Sequence, residues 1–245
     1  VPNPYETTRY LDEYLFFHYG RPRDFCPFLI FPNNLLRFHE RIRRECLLPI
    51  ERPAHRQTRA LDIGCAVGRF SFELGRVADH VIGIDNSAPF IAAARQLARR
   101  RALTIRVQES GKLFSSRKLV LPKALASGSV EFHVRDAMDL SAFSASSFQI
   151  VAAINLLCRL PHPRRFLGQV RRLVAPGGQL IIASPFSWLQ QYTPRREWLD
   201  DAEVQRALDP HFRLVRRRDL PFLIREHRRK YQLVVSDVMV FIRRN

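Results

Sequence analysis

Ala60-Leu61-Asp62-Ile63-Gly64-Cys65-Ala66-Val67-Gly68-Arg69-Phe70, continued by His80-Val81-Ile82-Gly83-Ile84-Asp85-Asn86, reads as strand, glycine turn, helix and strand. A short apolar strand ends at Asp62, and a turn containing Gly64 and Gly68 opens a helix near Arg69. Small residues in that turn let a ligand lie against bare backbone. The second strand, Val81 to Ile84, ends in Asp85. Two carboxylates therefore stand at the carboxyl ends of neighbouring parallel strands, the edge where open α/β sheets bind ligands.

The glycine spacing narrows the ligand. Counting from Gly64, a G-x-G-x-x-G dinucleotide fingerprint needs glycines where this chain has Ala66 and Arg69. The stretch instead resembles motif I of the class I S-adenosylmethionine (SAM) methyltransferases, acidic-x-G-x-[GA]-x-G, filled by Asp62, Gly64, Ala66 and Gly68. That resemblance implies SAM as cofactor and S-adenosylhomocysteine as its product. It also implies Asp85 at the ribose hydroxyls, with Cys65 and Asn86 as neighbouring cofactor contacts.

Downstream residues fit the same plan. Ser87 to Leu103 reads as a helix with Ser87 as cap and Pro89 in its first turn. Residues 104–108 and 118–121 read as short strands of an inserted, hairpin-like excursion. Val130 to Arg135 is a third core strand leading to Asp136 and Ala137, which the resemblance places at the adenine. Phe148 to Ile154 is a continuous apolar run, as a strand buried on both faces should be, and it ends at Asn155. A helix from Phe166 to Val174, the turn Ala175-Pro176-Gly177-Gly178 and the strand Gln179 to Ala183 form a second methyltransferase-like signature. Residues 184–193 read as a loop on the ligand edge, Leu199 to Leu208 as a helix, and Phe212–Leu220 and Tyr231–Arg243 as closing antiparallel strands. Pro221 to Lys230 reads as a polar loop between them.

Upstream, residues 7–19 place Leu11, Tyr14, Leu15 and His18 on one helical stripe, ended by Gly20 and Pro22. Core packing explains its aromatic residues, and so does a lid over a small ligand. Pro27 and Pro32 break the chain, and Asn33 or Asn34 is positioned to cap a second helix, Leu35 to Leu48. The expected organisation is an α/β fold of class I methyltransferase type, with a seven-stranded, mostly parallel sheet and helices on both faces. A helical lid or appendage occupies residues 1–55, and a methyltransferase domain with an insertion at about 104–128 occupies 56–245.

The 245 residues are 46% apolar, enough for one substantial α/β core. The formal charge of +17 by itself suggests nucleic acid. However, only Lys112, Lys118, Lys123 and Lys230 are lysines, and the arginines are dispersed in short clusters that read as solvated surface. Cys26, Cys46, Cys65 and Cys158 lack C-x-x-C spacing, which argues against a disulfide framework and a metal site. The chain has no apolar run near the ~20 residues of a membrane span, and Val1-Pro2-Asn3-Pro4-Tyr5-Glu6 does not read as a signal peptide, so the expected location is cytoplasmic.

Several further stretches resemble one particular family. They are Asn3-Pro4-Tyr5-Glu6-Thr7 with Tyr14-Leu15 and Phe17-His18-Tyr19-Gly20, Asn155-Leu156-Leu157-Cys158-Arg159-Leu160, Ser184-Pro185-Phe186-Ser187-Trp188-Leu189, Tyr192-Thr193-Pro194 and Arg225-Glu226-His227 with Arg229-Lys230-Tyr231-Gln232. They are similar to the methyltransferase part of ovothiol synthase, which methylates an imidazole nitrogen of 5-thiohistidine, and to enzymes acting on the selenium analogue. The resemblance implies a chalcogen-histidine substrate and an iron-dependent sulfoxide synthase, or its selenium counterpart, as pathway partner. Membrane and nucleic acid are not expected partners.

On this reading Asn155 bridges the cofactor and substrate regions, and Tyr5, Tyr14, Trp188 and Tyr192 wall the imidazole, with a tyrosine hydroxyl orienting one ring nitrogen. Arg159 or Arg225 takes the substrate carboxylate, and Glu6 or Glu226 the ammonium. His18 is a candidate proton acceptor, with Asn155 and Tyr14 as the other candidate catalytic groups; a packed, hydrogen-bonded histidine is its plainer reading. Two other classes stand beside this one: an RNA methyltransferase, which lacks the Asn/Asp-Pro-Pro-aromatic motif where Asn155-Leu156-Leu157-Cys158 stands, and a non-catalytic binding protein with the same fold.

Overall fold

A computed structural model describes residues 4–25, 27–28, 35–50, 57–125 and 128–244. Seven strands form one sheet: β1 (Arg59–Ile63), β2 (His80–Asp85), β5 (Ser129–Val134), β6 (Phe148–Ile154), β7 (Val174–Ser184), β8 (Phe212–His227) and β9 (Lys230–Arg243). Their order is β5-β2-β1-β6-β7-β9-β8, with the first five parallel and the last two antiparallel. The remaining strands, β3 (Ala102–Ser110) and β4 (Leu113–Val120), pair only with each other, as the inserted hairpin requires.

The central strands read as unbroken apolar runs because each feeds two cores. Leu61, Ile63, Val151, Ala153, Leu180 and Ile182 pack with Phe166, Val170 and Leu173 of α6 (Pro163–Leu173) and with Val204 and Leu208 of α7 (Asp201–Leu208). The alternate residues Ala60, Ile150, Ala152, Ile181 and Ala183 pack on the other face with Phe70 and Leu74 of α4 (Arg69–Leu74) and with Phe38 of α3 (Phe38–Arg41). A third core joins α1 (Thr8–Tyr19) and α5 (Ala88–Arg100) to the hairpin through Leu15, Phe16, Phe90, Leu97, Ile105 and Val107. Among the described residues no helix is long and apolar enough to cross a membrane. Cys46, Cys65 and Cys158 are free and buried, whereas Cys26 lies outside the described residues.

Four expectations change. The helix expected over 35–48 is the single turn α3, entered through Arg37 at φ 56° and continued by a π-helical turn, Ile42–Cys46. Pro32 and the caps Asn33 and Asn34 lie outside the described residues, as do 51–56. The helix after Ser87 stops at Arg101, whose φ of 62° ends it, so Leu103 belongs to β3. The helix read from Phe166 starts at Pro163, where a proline costs no hydrogen bond. Finally, 221–227 is strand: Pro221 pairs with Val235, tolerated because β8 is the sheet edge, and the hairpin turns only at Arg228 and Arg229.

Candidate functional site

The loop between β1 and α4 is fastened by its own backbone. Gly64 and Cys65 donate to the Ile84 carbonyl at 2.8 and 2.9 Å, tying the exit of β1 to the end of β2. Gly64, Ala66 and Gly68 all have positive φ (72°, 48° and 84°), so every second residue turns the chain back. A Cβ on Gly64 would meet the Leu156 side chain at 2.8 Å, and one on Gly68 the Phe132 ring at 2.6 Å. Conformation calls for glycine at both positions, and at Gly68 the packed Phe132 ring and Ala94 add a steric reason.

The carboxylates have different jobs. Asp85 accepts from the Ala66 amide through one oxygen and from the Ser87 amide through the other, each at 2.9 Å, and burial raises its pKa despite those bonds. Asp62, 1% exposed, accepts from the Ser71 hydroxyl at 2.6 Å. Burial, with Asp85 nearby, pushes its pKa up to about 7. Burial likewise raises the Cys65 thiol, which makes Cys65 a small filler of the turn rather than a reactive group. Asp136 is exposed and accepts from the Met138 amide at 2.8 Å, Ala137 is buried beside it, and Asn86 is exposed. Asn155, at φ 55°, is held by its amide on Ala183 and by the Ser236 hydroxyl, which donates to its side-chain oxygen at 2.6 Å. Parallel register brings the ends of β1, β2, β5 and β6 to one edge.

Against this edge lies an aromatic layer. The Ser87 hydroxyl donates to the Tyr5 carbonyl, and the Tyr5 ring lies 5.9 Å from Tyr14, 6.1 Å from Phe90 and 6.2 Å from Tyr192. The Tyr5 phenol is pushed up by burial and lowered in part by Arg159, with Arg159 and Tyr14 both hydrogen-bonded to it. Burial carries Tyr14 well above the usual phenol range, and Asp85 is among the charges that reach it. Arg159 spans the Cys158 and Ser187 carbonyls and lies 5.5 Å from the Tyr192 ring centre. The helix α1 is pinned directly to the glycine loop: Tyr19 donates to the Val67 carbonyl at 2.8 Å, and Arg69 donates to the His18 carbonyl at 3.0 Å.

Of the residues expected to meet substrate, the structure gathers Tyr5, Tyr14, Tyr192 and Arg159, and takes three elsewhere. His18 packs 4.1 Å, centre to centre, from the buried His39, and burial lowers its pKa well below the usual histidine range. Its ring is 6.0 Å from Tyr14, but its surroundings disfavour the charged form a proton acceptor must adopt. Trp188 is committed to other partners: it donates to the Leu199 carbonyl and stacks on Trp198. Arg225 is buried as a strut: it pairs with Glu109 at 2.7 Å, donates to the Asp24 and Phe25 carbonyls, and lies over Phe16. Of the acids, Glu6 is exposed and acts on Asp85, whereas Glu226 pairs with Lys230. Sequence reading missed Phe90, Ser71 and Ser236. Phe90, in the first turn after a strand-end acid and its cap, had a positional signal, while Ser236, on an antiparallel strand far along the chain, had none.

A doubly wound sheet with a glycine turn, an acid at the second strand end and a shelf of rings defines a nucleotide-cofactor α/β enzyme. Residues 61–182 match the family described as a methyltransferase domain. A ubiquinone biosynthesis O-methyltransferase of Aromatoleum aromaticum is 29% identical over 126 residues, 51% of this chain and 43% of that protein. The chain thus matches less than half the length of that curated relative. The solved N-methyltransferase NodS of Bradyrhizobium japonicum, in complex with S-adenosyl-L-homocysteine, superposes with a TM-score of 0.53 at 18% identity, covering 77% of this chain and 79% of that one. A SAM-dependent methyltransferase of Methanosarcina mazei gives 0.52 at 23% identity, covering 76% and 92%. Residues 61–182 carry a methyltransferase domain, and the chain has the fold of the class I SAM-dependent methyltransferases.

The residues present fit SAM. A half-buried Asp85 held rigid by two amides is placed to accept from a diol, and the 64–68 loop offers backbone in place of side chains.

Proposed function

We propose that the chain methylates an imidazole nitrogen of 5-thiohistidine or 5-selenohistidine. The observation that carries this reading is the meeting of Tyr5, Tyr14, Tyr192 and Arg159 beside Asp85, three phenol rings and one cation at the cofactor edge. A flat heteroaromatic ring suits the tyrosines, and a carboxylate suits Arg159. The family resemblance of the segments that supply these residues supports the same substrate.

When bound, SAM supplies a methyl group on a sulfonium: the nitrogen–carbon bond forms as the carbon–sulfur bond breaks, and S-adenosylhomocysteine is released. The chain's task is placement, which supplies up to ~7–11 kcal/mol of a barrier of this kind. A neutral imidazole nitrogen already presents its lone pair, and after transfer the other ring nitrogen gives its proton to solvent. No strong base is needed, consistent with a His18 that burial keeps neutral. The rings must also turn the chalcogen, the better nucleophile, away from the methyl group.

O-methylation of a phenol is the second reading, favoured by the named activity of the curated relatives. It requires deprotonation of the acceptor, for which the aromatic layer supplies only phenols that burial makes weaker acids. A SAM turnover assay run in parallel on 5-thiohistidine, 5-selenohistidine, histidine, a catechol and bulk RNA separates the readings, with the methylated atom located by NMR. N-methylation of the chalcogen histidines alone is expected. Turnover confined to the catechol or to RNA would replace this proposal.

A further inference from the structure

On the flank of α1 away from Tyr14, a cavity of about 130 Å³ opens between that helix, the inserted hairpin and the end of β8. Its α1 wall is the stripe Arg9, Asp12, Glu13 and Phe16, spaced as one helical face, whereas Tyr10 and Tyr14 occupy the face toward Tyr5. The volume is near that of a cavity of about 150 Å³ known to accept a benzene ring.

The lining is divided by chemistry. Phe16 and Val107 are buried and give an apolar floor, and Phe114, 43% exposed, supplies a ring at the mouth. Arg106 lies 4.6 Å from the Phe114 ring centre and, among the described residues, makes no ion pair within 4 Å. Asp12 accepts from the Arg106 backbone amide and likewise lacks an ion pair within that distance among the described residues, while its neighbour Glu13 is engaged by Arg9. Burial raises the pKa of both acids, so each would be stabilised by an arriving cation. Asp12 and the exposed Arg106 thus attract one another across an apolar floor without closing an ion pair. A free α-amino acid carries an ammonium for the one and a carboxylate for the other on a single carbon, and completes both contacts at once.

We propose that this cavity is a binding site for a free α-amino acid with a ring or compact apolar side chain, separate from the methyl-transfer site. The ammonium pairs with Asp12, the carboxylate with Arg106, and the side chain enters between Phe16, Val107 and Phe114. Because the occupant would brace α1 against the hairpin, it would also steady the helix that carries Tyr14.

The test is calorimetric titration of the full chain, without SAM and in an Asp85→Ala background that disables the cofactor edge, using L-histidine, L-phenylalanine, histamine and imidazolepropionate. Saturable binding of one equivalent of either amino acid is expected, weakened at least tenfold by Asp12→Asn and by Arg106→Gln and unchanged by Arg159→Ala. Histamine, lacking the carboxylate, should ignore Arg106→Gln, and imidazolepropionate, lacking the ammonium, should ignore Asp12→Asn. Absence of saturation at about 10 mM amino acid, the weak end of specific binding, would overturn the proposal. So would binding indifferent to both cavity variants, or binding lost in Arg159→Ala. None of these outcomes depends on which acceptor is methylated, so the proposal for catalysis stands or falls separately.

Discussion

The glycine loop and the α1 face meet at the same strand edge, yet they are built by opposite means. Between Asp62 and Ser87 the work is done by backbone: amides of Gly64, Cys65, Ala66 and Ser87 fix the loop and hold Asp85. Across from it, Tyr5, Tyr14, Arg159 and Tyr192 come from four separate segments and meet only through side chains. A loop made of backbone binds what a whole class of enzymes shares. A shelf made of side chains is free to change with the acceptor, and that division predicts separable effects.

The largest effect should follow loss of Asp85. Asp85→Ala removes both the diol acceptor and the clamp on the Ala66 and Ser87 amides, so SAM affinity measured by calorimetry should fall by about 100-fold or more, or ~3 kcal/mol. Tyr14→Phe, on the opposite side, should leave SAM affinity nearly unchanged. If both variants lose SAM equally, the two regions are one unit and the comparison fails. Next in size is Arg225→Ala, which leaves Glu109 to Arg117 and Ser115 alone and releases the Asp24 and Phe25 carbonyls. A loss of ~2–3 kcal/mol is expected from the released carbonyls and the lost pair, a melting temperature lower by roughly 4–12 °C, with SAM still bound by the folded fraction. Selective loss of acceptor binding with unchanged melting would return Arg225 to the substrate.

This contrast also explains what could be read from the chain. The loop was legible because positive φ at 64 and 68, with close packing at 68, permits few residues there, and because strand ends place their acids by period alone. The inserted hairpin was legible from its alternation. The extent of β8 was not: Pro221 and a charged run mimic a loop, and only pairing with β9 overrides them. Trp188 and Arg225 carried the same family resemblance as Tyr192 and Arg159, but a sequence pattern holds no direction for a side chain. Trp188 turns to Leu199 and Arg225 to Glu109.

A smaller and sharper change is Arg159→Ala. If the acceptor carboxylate rests on Arg159, its removal should raise KM for the amino acid about tenfold to 100-fold, with a lesser change in kcat, and Arg159→Lys should recover only part of it because a point charge cannot span two oxygens. SAM affinity should not move. A kcat loss at constant KM would instead place Arg159 as support for Tyr5 alone.

The smallest expected effect is one the wild-type chain conceals. Folding lowers the pKa of His39 from 6.5 to about 3 by burial, with Arg69 adding repulsion, and His18 beside it is lowered by burial, His39 and Arg69. The unfolded chain therefore binds protons that the folded one refuses, so stability from these histidines is complete above pH 6.5 and drains away as the pH falls toward about 3. Asp62 has the opposite sign. Its folded pKa of about 7 exceeds the 3.8 of the unfolded chain, so the folded state is penalised above pH 7 and relieved as the pH falls through that window. Between pH 7.5 and 5.5 the two histidines together cost ~3 kcal/mol and the aspartate returns ~2 kcal/mol, so most of the change cancels in the wild-type melting temperature. Asp62→Asn, whose amide oxygen still accepts from Ser71, should expose the histidine term and melt lower at pH 5.5 than at 7.5. His39→Phe should expose the aspartate term and weaken or reverse that slope. Parallel pH profiles for the two variants would show that the glycine loop and the α1 face do not titrate as separate regions.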